Sequence, residues 1–284
     1  MRWGAERRQE FIENRLYWEG GVNRGHLTDA FGISTQQASA DLARYQELAP
    51  ENITYDRSRK GYVVSDAFKP VVIKPDAARY LAHLRLVGDG VVSADDTDLP
   101  LPAFDMVPGP TRRIAPDILR AVVASIRKQH SIEVFYQSMS RPEPSWRWIA
   151  PHALAFDGFR WHARAWCTKD NVFKDFVLAR IRETKDSEHS SIEPTADRDW
   201  HERVRVIIGP HPGLSEGQRK AIEADYSMTG GVSVIDVRRS FLWYFLKRFG
   251  LDVDAKQRRP HDQHIVMLND EDVLSALASR RDDA

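Results

Sequence analysis

Residues 151–182 read PHALAFDGFRWHARAWCTKDNVFKDFVLARIR, and this stretch decides the fold of the segment around it. Between residues 159 and 167 every second position is apolar or small, which is the period of a half-buried β-strand. The pattern therefore predicts a strand with one side in a core and the other side polar. The polar positions are Arg160, His162 and Arg164.

The polar side of this predicted strand is basic, and the next predicted strand adds Arg180 and Arg182. Like charges side by side repel unless an anion or a polar partner offsets them. The sequence therefore predicts a basic sheet face that binds an anionic effector, or that docks a partner protein or the DNA backbone. A plainer interpretation stays open, in which arginines form surface ion pairs. The pairs considered join Arg160, Arg164 and Arg182 to Asp157, Asp170 and Asp175.

The run WHARAWC at residues 161–167, followed by KDFVLARI at residues 174–181, resembles the WYL domain of bacterial transcriptional regulators. It is most similar to the branch of that family linked to BREX and CBASS phage-defence operons. His162 and Ala163 stand where the Tyr and Leu of the family's name would be. The resemblance implies an SH3- or Sm-like β-barrel over residues 131–190 that senses an anionic nucleotide or oligonucleotide. The ligand-binding residues it implies are Tyr136, Ser138, His152, Trp161, His162, Arg164 and Arg180, with Trp161 supporting the pocket from the core side.

Residues 1–70 carry the pattern of a winged helix-turn-helix. Apolar residues at three-to-four spacing predict three helices, and Asn23 and Ser34 are placed to cap the second and third. Short β-type runs at residues 53–55 and 62–64 predict a hairpin around a basic turn. The stretch FGISTQQASADLARYQEL, residues 31–48, resembles the DNA-binding modules of the DeoR-like class, and Gly61 and Tyr62 resemble the end of their wing. The alternative is a helical bundle with a turn.

The third helix of this module is the predicted recognition helix. Glutamine can bond adenine through two atoms in the major groove, and the N-terminal half of such a helix usually meets the bases. Gln36 and Gln37 are therefore the predicted base readers, and the wing cations are predicted to contact phosphate or the minor groove. A solvated helix and a charged turn are the alternative. The predicted DNA-binding residues are Ser34, Thr35, Gln36, Gln37, Ser39, Arg44, Arg57, Arg59 and Lys60.

The rest of the sequence predicts an α+β multidomain protein. A helical linker is expected over residues 71–130, with a segment rich in Pro, Gly and Asp at residues 88–110. The WYL-like segment is expected to form strands at residues 132–138, 146–156, 159–167 and 173–182. The strand and helix order of residues 200–284 resembles the ferredoxin-like extension that accompanies many WYL domains. Because residues 239–249 carry many bulky apolar side chains, we expect this extension to dimerise.

The composition of the chain argues against several classes of protein but does not identify its function. The net charge is zero, with 41 basic and 41 acidic residues, so a nucleic acid must be met by local patches. A single cysteine, a charged N-terminus and the lack of a long apolar run favour a cytoplasmic protein without a disulfide, signal peptide or membrane span. Cys167 is expected to be a buried thiol, and His261 and His264 lack a third metal ligand. Without a catalytic motif, neither an enzyme nor a cofactor or metal is expected.

Together these patterns predict a homodimeric DNA-binding transcriptional regulator, specifically a repressor of a phage-defence operon. Its winged helix would bind a double-stranded operator with an inverted repeat. An anionic nucleotide or oligonucleotide at the WYL-like domain would modulate that binding. The alternative is a nucleic-acid-binding accessory factor, or an RNA-binding factor, without operator specificity. Footprinting separates the two, because only the regulator protects one palindrome near a promoter.

Overall fold

The computed structural model describes residues 2–93, 101–110 and 112–282, with side chains from Gly4 to Ala278. The chain forms two compact units, which divide between Pro110 and Thr111. Residues 94–100 of the expected linker lie outside the described residues. Among the described helices, none combines the length and the apolar character that crossing a membrane requires.

The first unit is a bundle of three helices with a small antiparallel sheet, followed by one further helix. Its elements are α1 (Arg2–Glu19), β1 (Gly21–Val22), α2 (Arg24–Phe31), α3 (Thr35–Leu48), β2 (Ile53–Asp56), β3 (Gly61–Val64) and α4 (Ala77–Gly88). The strands pair in the order β1-β3-β2, so that β2 and β3 form the hairpin expected from the sequence. Apolar side chains from all three bundle helices and from the strands form its core.

The ends of α2 and α3 follow the capping signals in the sequence. The Asn23 side chain accepts a hydrogen bond from the His26 backbone N–H at 3.0 Å, which caps α2. The Ser34 hydroxyl accepts one from the Gln37 backbone N–H at 3.2 Å, which caps α3. Between the two helices Gly32 has a φ of 60°, a left-handed conformation that glycine adopts without steric cost. The Ser34 cap fixes where α3 begins.

A buried carboxylate holds the chain where it leaves the hairpin. Glu13 of α1 accepts hydrogen bonds from the Tyr45 hydroxyl at 2.7 Å and from the backbone N–H groups of Val71, Val72 and Ile73 at 2.6 to 2.8 Å. Four donors satisfy a charge whose burial would otherwise be costly. The segment after the hairpin is therefore fastened to the first helix.

The second unit begins with a helix packed on a five-stranded antiparallel sheet. Its elements are α5 (Pro116–Lys128), β4 (His130–Tyr136), β5 (Ser145–Phe156), β6 (Trp161–Cys167), β7 (Val172–Val177) and β8 (Ile181–His189). The strands lie in the order β7-β6-β5-β4-β8. Ile118 and Val122 of α5 share a core with Ala163, Ala165 and Cys167 of β6, which is the apolar side predicted for that strand. Cys167 is buried, as expected.

The single strand predicted over residues 173–182 is wrong. The chain instead forms β7, then a 3-10 turn at Leu178–Arg180, then β8. Strand β7 pairs with β6 at one edge of the sheet, whereas β8 pairs with β4 at the other edge. The turn lets one continuous apolar and basic run serve both edges, which an alternating pattern alone does not reveal. Arg180 therefore lies in the turn and not on the strand beside β6.

The C-terminal part of this unit is a three-stranded antiparallel sheet covered by helices. Its elements are α6 (Arg198–His201), β9 (Arg203–Pro210), α7 (Glu216–Asp225), β10 (Ser233–Arg238), α8 (Leu242–Phe249), β11 (Ile265–Met267) and α9 (Asp270–Asp282). The strand order is β10-β9-β11. Leu242 and Leu246 of α8 are buried in its core, whereas Trp243 and Phe249 are exposed.

The described residues form an α+β protein, as the sequence predicts. The strand pairing alone does not establish a β-barrel or a ferredoxin-like fold. The five-stranded sheet has β7 and β8 at its edges, and the C-terminal sheet of the described residues has three strands. The SH3- or Sm-like barrel and the ferredoxin-like extension therefore stay predictions.

Candidate nucleic-acid interface and anion site

Helix α3 turns one face to the core of the first unit and another to solvent. The buried positions are Ala38, Asp41, Leu42 and Tyr45. At 3.6 residues per turn, Gln36, Ala40 and Ala43 lie on the opposite, exposed face. Two small alanines beside a glutamine leave room for the helix backbone to approach a DNA groove closely.

Gln36 and Gln37, the two predicted base readers, differ in the hydrogen bonds that their side chains already make. The Gln37 amide nitrogen donates to Asp41 Oδ1 at 3.2 Å, and Asp41 Oδ2 accepts from Arg8 Nε at 2.6 Å. This bond uses one of the two N–H donors of the Gln37 amide, so its carbonyl oxygen and its other N–H are left for a base. Gln36 is exposed and makes no side-chain hydrogen bond with another described residue. Gln36 therefore keeps both its donor and its acceptor.

Of the other predicted positions, Ser34, Thr35 and Ser39 lie at the cap and first turns of α3, whereas Arg44 lies in its C-terminal half. Thr35 and Arg44 are exposed. The Ser39 hydroxyl donates to the Thr35 carbonyl at 2.9 Å, and the Ser34 hydroxyl is used by the cap. Thr35 and Arg44 can therefore reach a phosphate directly, while Ser34 and Ser39 already serve the helix.

The hairpin turn presents its cations because an aspartate shapes the backbone. Asp56 Oδ1 accepts from the Ser58 hydroxyl at 2.6 Å and from the backbone N–H groups of Ser58 and Arg59 at 2.7 and 3.2 Å. These bonds, the Ser58 hydroxyl first, lower the pKa of Asp56. Arg57, Arg59 and Lys60 are all exposed, and the Arg59 side chain is 72% exposed with Asp56 at 3.8 Å. The turn thus offers three cations with little internal neutralisation.

Arg24 is a further cation at this surface that the sequence analysis did not single out. It is the first residue of α2, it is exposed, and with Asn23, Thr35 and Lys60 it lines a pocket between the starts of two helices and the wing. The Asn23 cap was the available signal, since a residue directly after a cap lies at a helix N-terminus, where anions bind well.

On β6 the structure overturns the exposed basic face predicted for the second unit. His162 and Arg164 are each 1% exposed, so both sides of the strand are buried. The alternation predicted for β6 is present, but other parts of the chain cover its polar side, which is therefore not exposed to solvent. Trp161 is also placed differently, since it is 47% exposed and packs against Phe156 with 4.9 Å between ring centroids. Trp161 does not support a pocket from the core side.

Arg164 is neutralised inside the protein by three carboxylates. Its Nε and Nη2 donate to the two oxygens of Asp197 at 2.7 and 2.8 Å, a bidentate pair. Its Nη1 donates to Asp175 at 3.2 Å, and Asp199 lies 3.8 Å from Nη2. Burial alone would lower the pKa of Arg164, but the bonds and charges of these aspartates outweigh it and raise the pKa. The open alternative of ion pairs is therefore correct for Arg164, although the pair is buried.

Asp197 joins Arg164 to the predicted ligand residue His152. His152 Nε2 lies 2.8 Å from Asp197 Oδ2. Burial would raise the pKa of Asp197, but hydrogen bonds from Arg164 and His152 lower it to about 2. Asp197 is therefore ionised at neutral pH, and a carboxylate occupies the position where the resemblance implies an anionic ligand.

A second aspartate neutralises the neighbouring residues of the same strand side. Asp157 Oδ2 lies 2.8 Å from Arg160 Nε and 3.0 Å from His162 Nε2. Burial would raise the pKa of Asp157, but the bond to His162, two backbone N–H groups and Arg160 lower it to about 2. Arg160 thus forms the predicted pair with Asp157. The other ring nitrogen of His162, Nδ1, is buried without a hydrogen-bond partner.

The remaining predicted ligand residues contact other groups. The Tyr136 hydroxyl accepts from the Val177 backbone N–H at 3.3 Å, and the Ser138 hydroxyl bonds that of Ser140 at 2.8 Å. Arg180 is half-buried in the 3-10 turn and makes no side-chain hydrogen bond with another described residue. Of the seven residues, only His152 and Arg164 meet at one anion.

Asp197 and Asp199 are the functional candidates that the sequence analysis missed. They lie in the polar stretch 186–200, which looks like a solvated connector. A signal was present, because Asp197 precedes Arg198 as a helix cap would, and a buried arginine requires carboxylates. Among the described residues, no group of three or more His, Cys, Asp or Glu side chains is arranged to hold a metal ion.

Comparison with protein families divides the chain in the same order as the structure. Residues 4–86 match the BrxR transcriptional regulator winged helix-turn-helix domain. Residues 117–186 match the WYL domain, and residues 203–273 match the BrxR transcriptional regulator C-terminal dimerization domain. These matches define the class of the protein as a WYL-domain transcriptional regulator of the BrxR type.

Curated relatives narrow the class to one family. The chain is 38% identical over 287 residues to the DNA-binding transcriptional repressor CapW of Stenotrophomonas maltophilia, covering 99% of this chain and 95% of the relative. It is 39% identical over 283 residues to CapW of Pseudomonas aeruginosa, covering 97% and 93%. The chain belongs to the CapW family.

A solved structure, proteasome accessory factor B/C of Arthrobacter aurescens, is 17% identical to this chain. It matches 97% of this chain but only 48% of its own chain, with a TM-score of 0.26. The chain thus spans about half the length of that structure.

Proposed function

We propose that this chain is a dimeric, sequence-specific DNA-binding repressor of a phage-defence operon, controlled by an anionic nucleotide or oligonucleotide. The observation that carries the proposal is the exposed face of α3 beside the cationic hairpin turn, in a chain that aligns over 99% of its length with a CapW repressor. The relatives are named as DNA-binding transcriptional repressors.

The division of labour within the first unit supports specific binding. Gln36 and Gln37 present amide groups of the kind that read base edges, while Arg24, Arg59 and Lys60 supply charge for the phosphate backbone. The cations give affinity for any duplex, and the amides give preference among duplexes. An operator with two half-sites about one helical turn apart fits a dimer of such units.

The C-terminal module supports the dimer. Its family match is to a dimerization domain. Several of its large apolar side chains are exposed in the single chain, which is typical of surfaces that a partner covers. These side chains are Tyr226, Val234, Trp243, Phe249, Leu268 and Leu274. Sedimentation at micromolar concentration should give a dimer without DNA, and a monomer there would remove the two-fold reading of an operator.

The ligand part of the proposal rests on His152, Arg164 and Arg180. His152 and Arg164 already bind a carboxylate, and Arg180 is a half-buried cation whose side chain makes no hydrogen bond with another described residue. A ligand changes operator binding only if it prefers one dimer geometry over the other. Phosphate groups suit an arginine fork, which favours a nucleotide or an oligonucleotide.

Base readout is tested by glutamine substitutions measured on the operator and on scrambled duplex. Gln36→Ala and Gln37→Ala should each lose about 1 to 3 kcal/mol of discrimination at one or two base pairs. Gln46→Ala is the matched control, because Gln46 is an exposed glutamine near the C-terminal end of the same helix. Equal affinity of the unmodified protein for operator and scrambled DNA would instead favour an accessory factor without operator specificity.

A further inference from the structure

The carboxylate of Asp197 makes the contacts that a phosphate group would make in the second unit. It accepts two parallel hydrogen bonds from the Arg164 fork at 2.7 and 2.8 Å, and its Oδ2 lies 2.8 Å from His152 Nε2. Bidentate binding to a guanidinium is the shared geometry of carboxylates and phosphates. The position between Arg164 and His152 is therefore an anion site that the chain fills with its own side chain.

The same aspartate holds the start of α6. Its Oδ1 accepts from the Trp200 backbone N–H at 3.2 Å, and its carbonyl oxygen accepts from the N–H groups of Trp200 and His201 at 3.1 and 3.2 Å. A side chain that leaves Arg164 cannot keep the cap in its present place, because both contacts use one carboxylate. Occupancy of the anion site and the order of α6 are thus linked through Asp197.

Helix α6 in turn contacts the C-terminal module. Asp199 Oδ1 lies 3.3 Å from Arg239 Nε. The Trp200 carbonyl accepts a hydrogen bond from Arg238, and the Glu202 carbonyl accepts one from the Arg239 backbone N–H at 3.0 Å. Arg238 ends β10, and Arg239 leads into α8. A shift of α6 therefore changes contacts with Arg238 and Arg239, which belong to the module that matches a dimerization domain.

A pocket next to the anion site gives a route of entry. It has a volume of about 210 Å³ and is lined by polar and apolar groups from α5, β5, β7 and the segment before α6. His152 belongs both to its wall and to the Asp197 contact. Three of its lining residues, Ser190, Ile192 and Pro194, precede Asp197 in the chain.

We propose that Asp197 is an internal competitor, and that a phosphate group of the ligand replaces it on Arg164 and His152 and thereby releases α6. This inference rests on the proposed ligand-sensing function. An exchange of anions keeps Arg164 paired throughout, whereas simple opening would leave a buried charge alone, which is strongly destabilising. A phosphate monoester carries up to about two negative charges at neutral pH, against one on Asp197, so the exchange is favoured electrostatically.

The test compares the full-length protein with Asp197→Asn and Glu193→Gln. Glu193 is exposed in the segment that leads to Asp197 and loses the same charge, but it is not one of the carboxylates that contact Arg164. Calorimetry with inorganic phosphate, thymidine monophosphate and a short single-stranded oligothymidylate measures affinity and separates free phosphate from nucleotide and strand as the source. Asp197→Asn should bind the effective probe about tenfold more tightly, and Glu193→Gln should stay within about threefold of the unmodified protein.

Amide hydrogen exchange can be measured on the unmodified protein, so this test does not require the Asp197→Asn variant to fold. Saturating probe should speed exchange at the Trp200 and His201 amides, whose acceptors belong to Asp197, and leave the β5–β6 pairing protected. Binding to Asp197→Asn alone also supports competition, because the competitor then masks the site in the unmodified protein.

Three results overturn the inference, and they separate it from the proposed function. If Asp197→Asn does not change the affinity for the probe, and the probe does not change hydrogen exchange at α6, the protein is still a ligand sensor but the Arg164–Asp197 pair is purely structural. Equal tightening by Asp197→Asn and Glu193→Gln would mean that the loss of one negative charge, and not the loss of a competitor, raises the affinity. No binding of any probe to either protein, with operator binding intact, removes both the competitor and the anionic ligand while the repressor remains.

Discussion

Arg57, Arg59 and Lys60 on the hairpin turn are exposed, whereas Arg164 on β6 is 1% exposed and meets the carboxylates of three aspartates. Both groups come from short basic runs that predict contact with an anion. The wing cations can meet a polyanion without any rearrangement. Arg164 can do so only by exchanging a partner it already has. A basic pattern thus predicts that an anion is present, but not whether the chain supplies it.

The largest expected effect that follows from this contrast is on stability. Arg164→Ala leaves the carboxylates of Asp197 and Asp175 buried without their cation, and should cost about 3 to 5 kcal/mol of unfolding free energy. Arg182→Ala, which removes an exposed arginine from β8, is the control and should change little. Chemical denaturation followed by tryptophan fluorescence measures both. Equal midpoints for the two variants would mean that Arg164 is as solvated as the wing cations.

Acid should weaken the second unit through protonation of Asp197. The pKa of Asp197 is lowered to about 2, so its contribution is complete above the unfolded value of about 3.9 and is lost as pH falls toward 2. The loss is about 2 kcal/mol for this group. Denaturation midpoints measured from pH 6 to pH 2 should show that fall, and Asp197→Asn should flatten it. An unchanged slope in the variant would assign the acid sensitivity elsewhere.

The wing should show its effect in DNA affinity and not in folding. Arg59→Ala should weaken operator and scrambled duplexes alike, and should lower the slope of log affinity against log salt by about 1, because one phosphate contact is lost. Titrations of both duplexes at several salt concentrations measure this. Arg85→Ala, an exposed arginine on α4, serves as the charge-matched control. A loss confined to the operator would instead make Arg59 a base reader.

Only a small change in stability is expected at Arg180. This cation is half-buried and has no side-chain hydrogen bond to another described residue, so Arg180→Ala should shift the unfolding free energy by no more than about 0.5 kcal/mol. It should still bind operator but fail to respond to the ligand. Operator titrations with and without the effective phosphate probe decide this. Loss of operator binding without ligand would place Arg180 at a DNA-contact or structural surface.

Local signals predicted much of the fold, because they act over a few residues. Asn23, Ser34 and Gly32 fix the helix ends, and the alternation of Ala163, Ala165 and Cys167 fixes the core side of β6. The 3-10 turn between β7 and β8 escaped prediction since it interrupts a run that looks continuous in sequence. Strand pairing joins residues that are far apart in the sequence and decides which strands form the edges of a sheet. Such short patterns therefore do not predict it.

The site was harder to predict than the fold for the same reason. The cationic residues were found, because charge and spacing are visible in sequence. Their neutralisation was not, because Asp197 lies 33 residues beyond Arg164 in a stretch that looks like a connector. In the described part of the first unit, Gln36, Gln37 and the wing cations are exposed. The roles assigned to individual residues in DNA and ligand binding stay predictions.

Glu13 has a consequence for genetics. One carboxylate of the first helix accepts from three consecutive backbone amides and from a buried tyrosine, so a single codon change removes four hydrogen bonds at once. The three amides cannot be mutated away, because every residue type except proline carries one. Position 13 therefore concentrates the mutational sensitivity of a whole segment. A saturation library scored by folded yield should tolerate almost any residue at positions 71 to 73 and almost none at 13.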